Sequence, residues 1–189
     1  QVNMAHSLGR GDSKAATGFA QAALQLTILF SLFVTLISMF FTNPLLQFFA
    51  LNDAKTYNSA RVYMRITCGL ILFSFLSQVL TGLFTAQGDS KTPLKANFFG
   101  LILNMILDPL LVLGIGPFPR LEVIGAAVAT IAAQLVVLLI LIAEILRDHG
   151  DSNVLHKIRL FSRPDIIYVK GVFRIGIPTA LQGSIYCII

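Results

Sequence analysis

The stretch VIGAAVATIAAQLVVLLILIAEI, residues 123–145, carries one charged side chain, Glu144, within a turn of its end. As a helix rising 1.5 Å per residue it is roughly 34 Å long, enough to cross a bilayer core of about 30 Å. A soluble helix of that length would show a polar face every few residues, and this one shows none. Working outward, comparable apolar stretches run from Gly18 to Phe41, Val62 to Phe84 and Pro93 to Leu113. Asn43-Pro44 is expected to stop the first of these, leaving Leu45 to Leu51 as a short interfacial helix. Gln1 to Leu8 reads as the tail of a preceding helix, and a last helix is expected to start near Gly171. Apolar residues make up 56% of the 189-residue chain and charged residues 12%, about half the charge of a soluble domain. The fold class that follows is an all-α membrane protein, a polytopic transmembrane helix bundle. The sequence opens at Gln1 with no secretory signal and closes inside the apolar run Gly183 to Ile189, so the expectation is a piece of a longer chain.

The connections repeat. Gly11-Asp12-Ser13-Lys14 returns as Gly88-Asp89-Ser90-Lys91 and, shortened, as Gly150-Asp151-Ser152. Glycine tolerates the left-handed conformation that ends a helix, and Asp or Ser caps the amides of the next. Pro93 then falls in the first turn of its helix, where a missing N–H costs little. Two spans separate successive copies, so all three lie on one face. That face carries Arg10, Lys14, Lys91, Lys95, Arg147, Lys157, Arg159, Arg163, Lys170 and Arg174, against Lys55, Arg61, Arg65 and Arg120 opposite. The bias marks the repeated turns, and the polar stretch before Gly171, as cytoplasmic. The net charge of +5 therefore reports topology beside an anionic bilayer, and no nucleic-acid partner is expected.

Most carboxylates sit in connections or at helix ends, and Glu144 is spaced to pair with Arg147 at i+3. Asp108 is different. It lies about 22 Å along a helix from Pro93, in the outer half of the membrane, where an ionised carboxylate costs at least about 2.5 kcal/mol. Asn104 is one turn before it on the same face, and Pro109 directly after it frees the carbonyl of Met105 and serves as a helix hinge. Amide, carboxylate and carbonyl oxygens are hard ligands suited to a small cation or a proton-linked network. Thr130, about 10 Å from the outer end of the next, antiparallel span, reaches a similar depth. Gln25, Gln78, Thr81 and Gln134 are isolated polar residues within spans, some of them expected to line a cavity. Cys68 and Cys187 read as small packing residues, and His6, His149 and His156 receive no role.

The runs Ala86-Gln87-Gly88-Asp89-Ser90-Lys91-Thr92-Pro93, Asn104-Met105-Ile106-Leu107-Asp108-Pro109 and Gly125-Ala126-Ala127-Val128-Ala129-Thr130 resemble the multidrug and toxic compound extrusion (MATE) family. Gly9-Arg10-Gly11-Asp12 before them, and Gly176-Ile177-Pro178 opening a helix after them, extend the resemblance over essentially the whole chain. It implies a two-lobe, twelve-helix transporter. Residues 1–148 would run from the end of helix 2 through helix 6, 149–170 would be a cytoplasmic inter-lobe loop, and 171–189 would begin helix 7. It implies an antiporter of the cytoplasmic membrane that exports amphipathic organic cations in exchange for Na⁺ or H⁺. No cofactor is implied; the partners are the lipid bilayer and the remaining helices of the transporter. In members with an ion site in the first lobe, an Asn and an Asp on the fifth helix and a Thr on the sixth join an Asp on the first. By position these are Asn104, Asp108 and Thr130, with Na⁺ held at Asp108 and Asn104. Some members place a coupling carboxylate on the seventh helix, but Gly171 to Ile189 holds Gln182 and Tyr186 and no acid.

Three other readings fit less well. A related lipid-linked oligosaccharide flippase would want a cationic cavity, and the spans hold almost no Lys or Arg. An intramembrane enzyme needs a nucleophile with a base, paired acids or metal ligands, whereas Asp108 stands alone. A non-transport membrane assembly subunit would use Asn104, Asp108 and Pro109 only as a polar hinge.

Overall fold

In the computed structural model, which describes residues 1–48, 54–114, 120–147, 154–158 and 165–186, every regular element is a helix. The order is α1 (Val2–Gly9), α2 (Ser13–Phe48), α3 (Ala54–Gly69), α4 (Ile71–Ala86), α5 (Lys91–Leu113), α6 (Val123–Arg147), a 3₁₀ turn (Val154–Lys157) and α7 (Ile166–Tyr186). Helices α2, α5 and α6 are each long and apolar enough to cross a membrane, and α3 with α4, bent by 41° at their junction, forms a fourth span when taken together. The chain is a multi-pass membrane bundle.

The two described Gly-Asp-Ser-Lys turns have the same construction. Gly11 (φ 76°) and Gly88 (φ 89°) take the left-handed conformation, which a Cβ would strain. The Asp12 N–H donates to Ser7 C=O at 3.0 Å and the Asp89 N–H to Phe84 C=O at 3.1 Å, closing each preceding helix in the same six-residue loop. Asp12 Oδ1 then accepts the Ala15 N–H at 3.0 Å, while Asp89 Oδ1 accepts those of Lys91 and Thr92, both at 3.1 Å. The third copy, Gly150-Asp151-Ser152, lies outside the described residues.

Three boundaries differ from the sequence expectation. Helix α2 is not stopped by Asn43-Pro44 but continues through Pro44 to Phe48. A proline's fixed φ is itself helical, and its cost is confined to one lost bond and local crowding. The second span is not one straight helix: it breaks at Leu70 (φ −110°, ψ 14°), directly after Gly69. There the Cys68 carbonyl accepts the Thr35 hydroxyl of α2 at 3.0 Å, so a neighbouring helix supports the backbone at the bend. Helix α7 begins at Ile166 rather than Gly171, and Gly176-Ile177-Pro178 lies in its middle rather than at its start. The Asp165 carboxylate accepting the Ile167 N–H at 3.1 Å supplies the earlier cap.

The core gathers at the end of the bundle that holds the repeated turns. Met4, Ala16, Ala20, Leu24, Leu80, Leu83, Phe84, Ala96, Val137, Leu138 and Leu141 pack together there, with Leu155 closing the base. Towards the opposite end one face of α2 is exposed, with Leu29 63% and Phe40 79% accessible, while Ser31 and Thr42 on its other face are buried. Helix α6 meets the backbone of α5 closely at Gly125, where a Cβ would stand 2.6 Å from both the carbonyl carbon and oxygen of Leu111. At Gly100 a Cβ would overlap Val137 Cγ2. Small residues at these points let the backbones approach.

Gly125→Leu therefore forces backbone apart and is expected to destabilise the protein by about 1–3 kcal/mol, seen as a lowered melting temperature in detergent. Gly9→Ala, where a Cβ meets open space, should leave melting unchanged; equal effects of the two would contradict the contact. Asp89 gives a pH prediction. The Thr92 hydroxyl chiefly, then the Thr92 and Lys91 amides and the Lys91 charge, hold its carboxyl below the ordinary range, against a smaller opposing effect of burial. A depressed carboxylate stabilises the fold above about pH 4 and loses that contribution as pH falls through its native value. Asp89→Ala should cost about 1 kcal/mol at neutral pH and flatten the acid side of the stability profile, whereas an unchanged profile would contradict the cap.

Candidate functional site

The tight α5–α6 seam fixes which polar residues meet. Helix α5 places Asn104 and Asp108 one turn apart on one face. After the connection, Leu121 donates its N–H to Leu111 C=O at 2.9 Å, and α6 runs back antiparallel with Thr130 about two turns from its start. With the Asn104 amide turned so that both ends are satisfied, Nδ2 donates to Asp108 Oδ2 at 3.2 Å and Oδ1 accepts the Thr130 N–H at 3.3 Å. The opposite orientation offers only a 3.5 Å approach of Nδ2 to Thr130 Oγ1, so we adopt the first. Asn104 thus bridges the other two. Asp108 Oδ1 is enclosed and has no hydrogen-bond partner, which is costly for a carboxylate oxygen away from water.

Pro109 lies within α5, and the helix continues past it to Leu113, ending on left-handed Gly114 (φ 70°). Its effect is to leave the Met105 carbonyl, one turn back, without a helical donor. Below Asn104 a cavity of about 250 Å³ opens between α5 and α6, lined by Asn97, Gly100, Leu101, Asn104, Thr130, Ala133, Gln134 and Val137. Asn97 turns its Nδ2 onto Pro93 C=O at 2.8 Å, and Gln134 bonds to Ser74 and Ser77 of α4. A larger groove of about 500 Å³ runs between α2, α4 and α7. Phe30, Phe75 and Phe173 supply its aromatic surface, with Thr27 and Gln78 as polar points. The oxygens around Asp108 are hard and partly unsatisfied, the donor chemistry of a small cation or a proton. Among the described residues no three of His, Cys, Asp and Glu cluster as a transition-metal site.

A family model described as MatE matches residues 1–110. The chain belongs to the MatE family. Among curated MatE-like relatives, the FAD transporter of Shewanella oneidensis is 35% identical over 72% of this chain and 30% of its own length. A probable multidrug resistance protein NorM of Thermotoga maritima is 28% identical over 98% of this chain and 39% of its own. The chain thus spans about a third of the length of such relatives. A solved MATE family multidrug resistance transporter of the MOP superfamily, in an inward-facing conformation, superposes with a TM-score of 0.82 at 21% identity. That match covers 95% of this chain and 39% of the other and establishes a shared fold. The Shewanella relative and the solved structure are named as transporters, and the Thermotoga relative is named for multidrug resistance.

The remaining sequence candidates distribute as follows. Glu144 meets Arg147 at 3.8 Å, Cys68 is a half-buried free thiol, and Cys187 and His149 lie outside the described residues. Gln78 and Gln134 line cavities. Sequence reasoning missed Asn97, Ser74 and Ser77. The available signal was that Asn97 precedes Asn104 by two turns and Ser74-x-x-Ser77 forms a polar pair inside an apolar span.

Proposed function

We propose that this chain forms the cation-coupled part of a secondary antiporter that exports amphipathic organic cations in exchange for Na⁺ or H⁺. The observation that carries the reading is the enclosed, unpartnered Oδ1 of Asp108 beside Asn104 and Thr130. A carboxylate with one enclosed oxygen left unpaired is stabilised by binding a cation or a proton there, and either event removes a charge from the membrane interior. If the site differs in shape between inward- and outward-facing arrangements, occupancy biases their populations. Asn104, bonded to both neighbours, holds the carboxylate against α6, with Thr130 Oγ1 3.5 Å from the Asn104 amide.

In this reading residues 1–148 belong to the first lobe and α7 begins the second, with the Gly-Asp-Ser-Lys turns and residues 149–170 on the cytoplasmic side of the cell membrane. The aromatic groove between α2, α4 and α7 suits a flat amphipathic cargo. The relatives named for multidrug resistance support drug export. The relative named for FAD makes that dinucleotide the second cargo to test.

Efflux by the intact transporter in proteoliposomes, under imposed Na⁺ and pH gradients, tests the proposal. Asp108→Asn should lower gradient-driven export roughly tenfold or more and remove its cation dependence. Export that keeps its rate and its coupling ion in Asp108→Asn would contradict the assignment.

A further inference from the structure

The break in the second span and the α5–α6 cavity are joined by one side chain. Gln134 follows Thr130 by one turn of α6, on the same face, and lines the cavity that Asn104 and Thr130 share. Its side-chain oxygen accepts the Ser74 hydroxyl, and its backbone carbonyl accepts the Ser77 hydroxyl at 3.3 Å. Both serines lie in the first two turns of α4, just past the bend at Leu70. On the other side of that bend the Thr35 hydroxyl holds the Cys68 carbonyl. The broken span is therefore bonded to α2 before the bend and to α6 after it. Among the described residues, Gln134 is the one cavity-lining side chain seen to bond to α4.

We propose that Gln134 is a positioning residue for the Asn104–Asp108–Thr130 cluster, tying α6 to α4 at the level of the site; this rests on the reading of that cluster as the cation site. The chemistry separates positioning from ligation. With one lone pair of the amide oxygen taken by Ser74 and the rest of the group an NH₂ donor, which repels a cation, Gln134 suits positioning better than ligation. No bulk water competes for these bonds inside the membrane, so they fix how α6 sits against α4. A shift of the α3–α4 bend then moves Thr130 relative to Asn104, and outer bonds of this kind govern affinity through the ligands they orient.

The test uses the intact transporter in proteoliposomes, titrated with Na⁺ at fixed pH and with H⁺ in Na⁺-free buffer. Ser74→Ala and Gln134→Leu should each raise the half-activating concentration of the coupling cation roughly three- to tenfold, with the maximal rate within about twofold of native. Ser74→Thr, which keeps the hydroxyl, should restore the native value. Should Gln134→Leu fail to fold, Ser74→Ala and Ser77→Ala decide the matter. Native half-activation in the serine variants, or a fall only in protein level and maximal rate, would overturn the proposal. Asp108→Asn separates the two levels. If it abolishes cation response while the serine variants remain native, only the role of Gln134 fails. If it leaves the response intact, the cation-site reading fails and this inference falls with it.

Discussion

At Gly125 the backbone of α6 lies so close to that of α5 that a methyl group would collide with the Leu111 peptide. Much of the candidate site depends on this contact. It sets the register of the two helices, and that register brings residue 104 opposite residue 130. The connection strengthens it, because Gly114 ends α5 in the left-handed conformation and Leu121 returns a hydrogen bond to Leu111. A Cβ at Gly114 would stand 2.7 Å from the Arg120 backbone nitrogen, so Arg120 lies directly against the end of α5. With both backbones fixed, Asn104 has few positions available, and the one that satisfies its amide also engages Asp108.

Packing is uneven along the bundle. The end with the repeated turns holds the buried cluster, two matched Asp caps and the small residues Ala16, Ala20 and Ala96 enclosed at helix crossings. Asn3 adds a bond to Gly171 C=O at 2.9 Å, and Phe19 meets the Tyr168 ring edge-on at 5.0 Å, so the start of α7 is also held there. The opposite end exposes long apolar side chains, as expected where lipid or further helices take the place of a core.

How much of this could be read from sequence divides along a physical line. Span length and charge bias belong to the chain itself, and Gly11 and Gly88 declare their turns because other residues resist positive φ. Asn104, Asp108 and Thr130 share a depth by simple counting at 1.5 Å per residue, and the structure brings them together. The α3–α4 bend was hidden because Cys68-Gly69-Leu70 is apolar and glycine is common within membrane helices. The prolines misled in the other direction: Pro44 and Pro178 stand inside continuous helices, where a proline removes one bond without ending the segment. The bonds from Ser74 and Ser77 to Gln134 link positions far apart in the chain, and no local pattern announces them.

If Asp108 is the coupling carboxylate, its protonation or ion occupancy changes when Na⁺ or H⁺ reaches the intact protein. Infrared difference spectroscopy of the intact transporter, recorded between Na⁺-free and Na⁺-containing buffer and between acid and neutral pH, reads that change directly. The account predicts that a carboxyl band responds to one of the two cations and disappears from the difference spectrum of Asp108→Asn. A spectrum in which no carboxyl band responds to either cation, or in which the responding band survives Asp108→Asn, would contradict it.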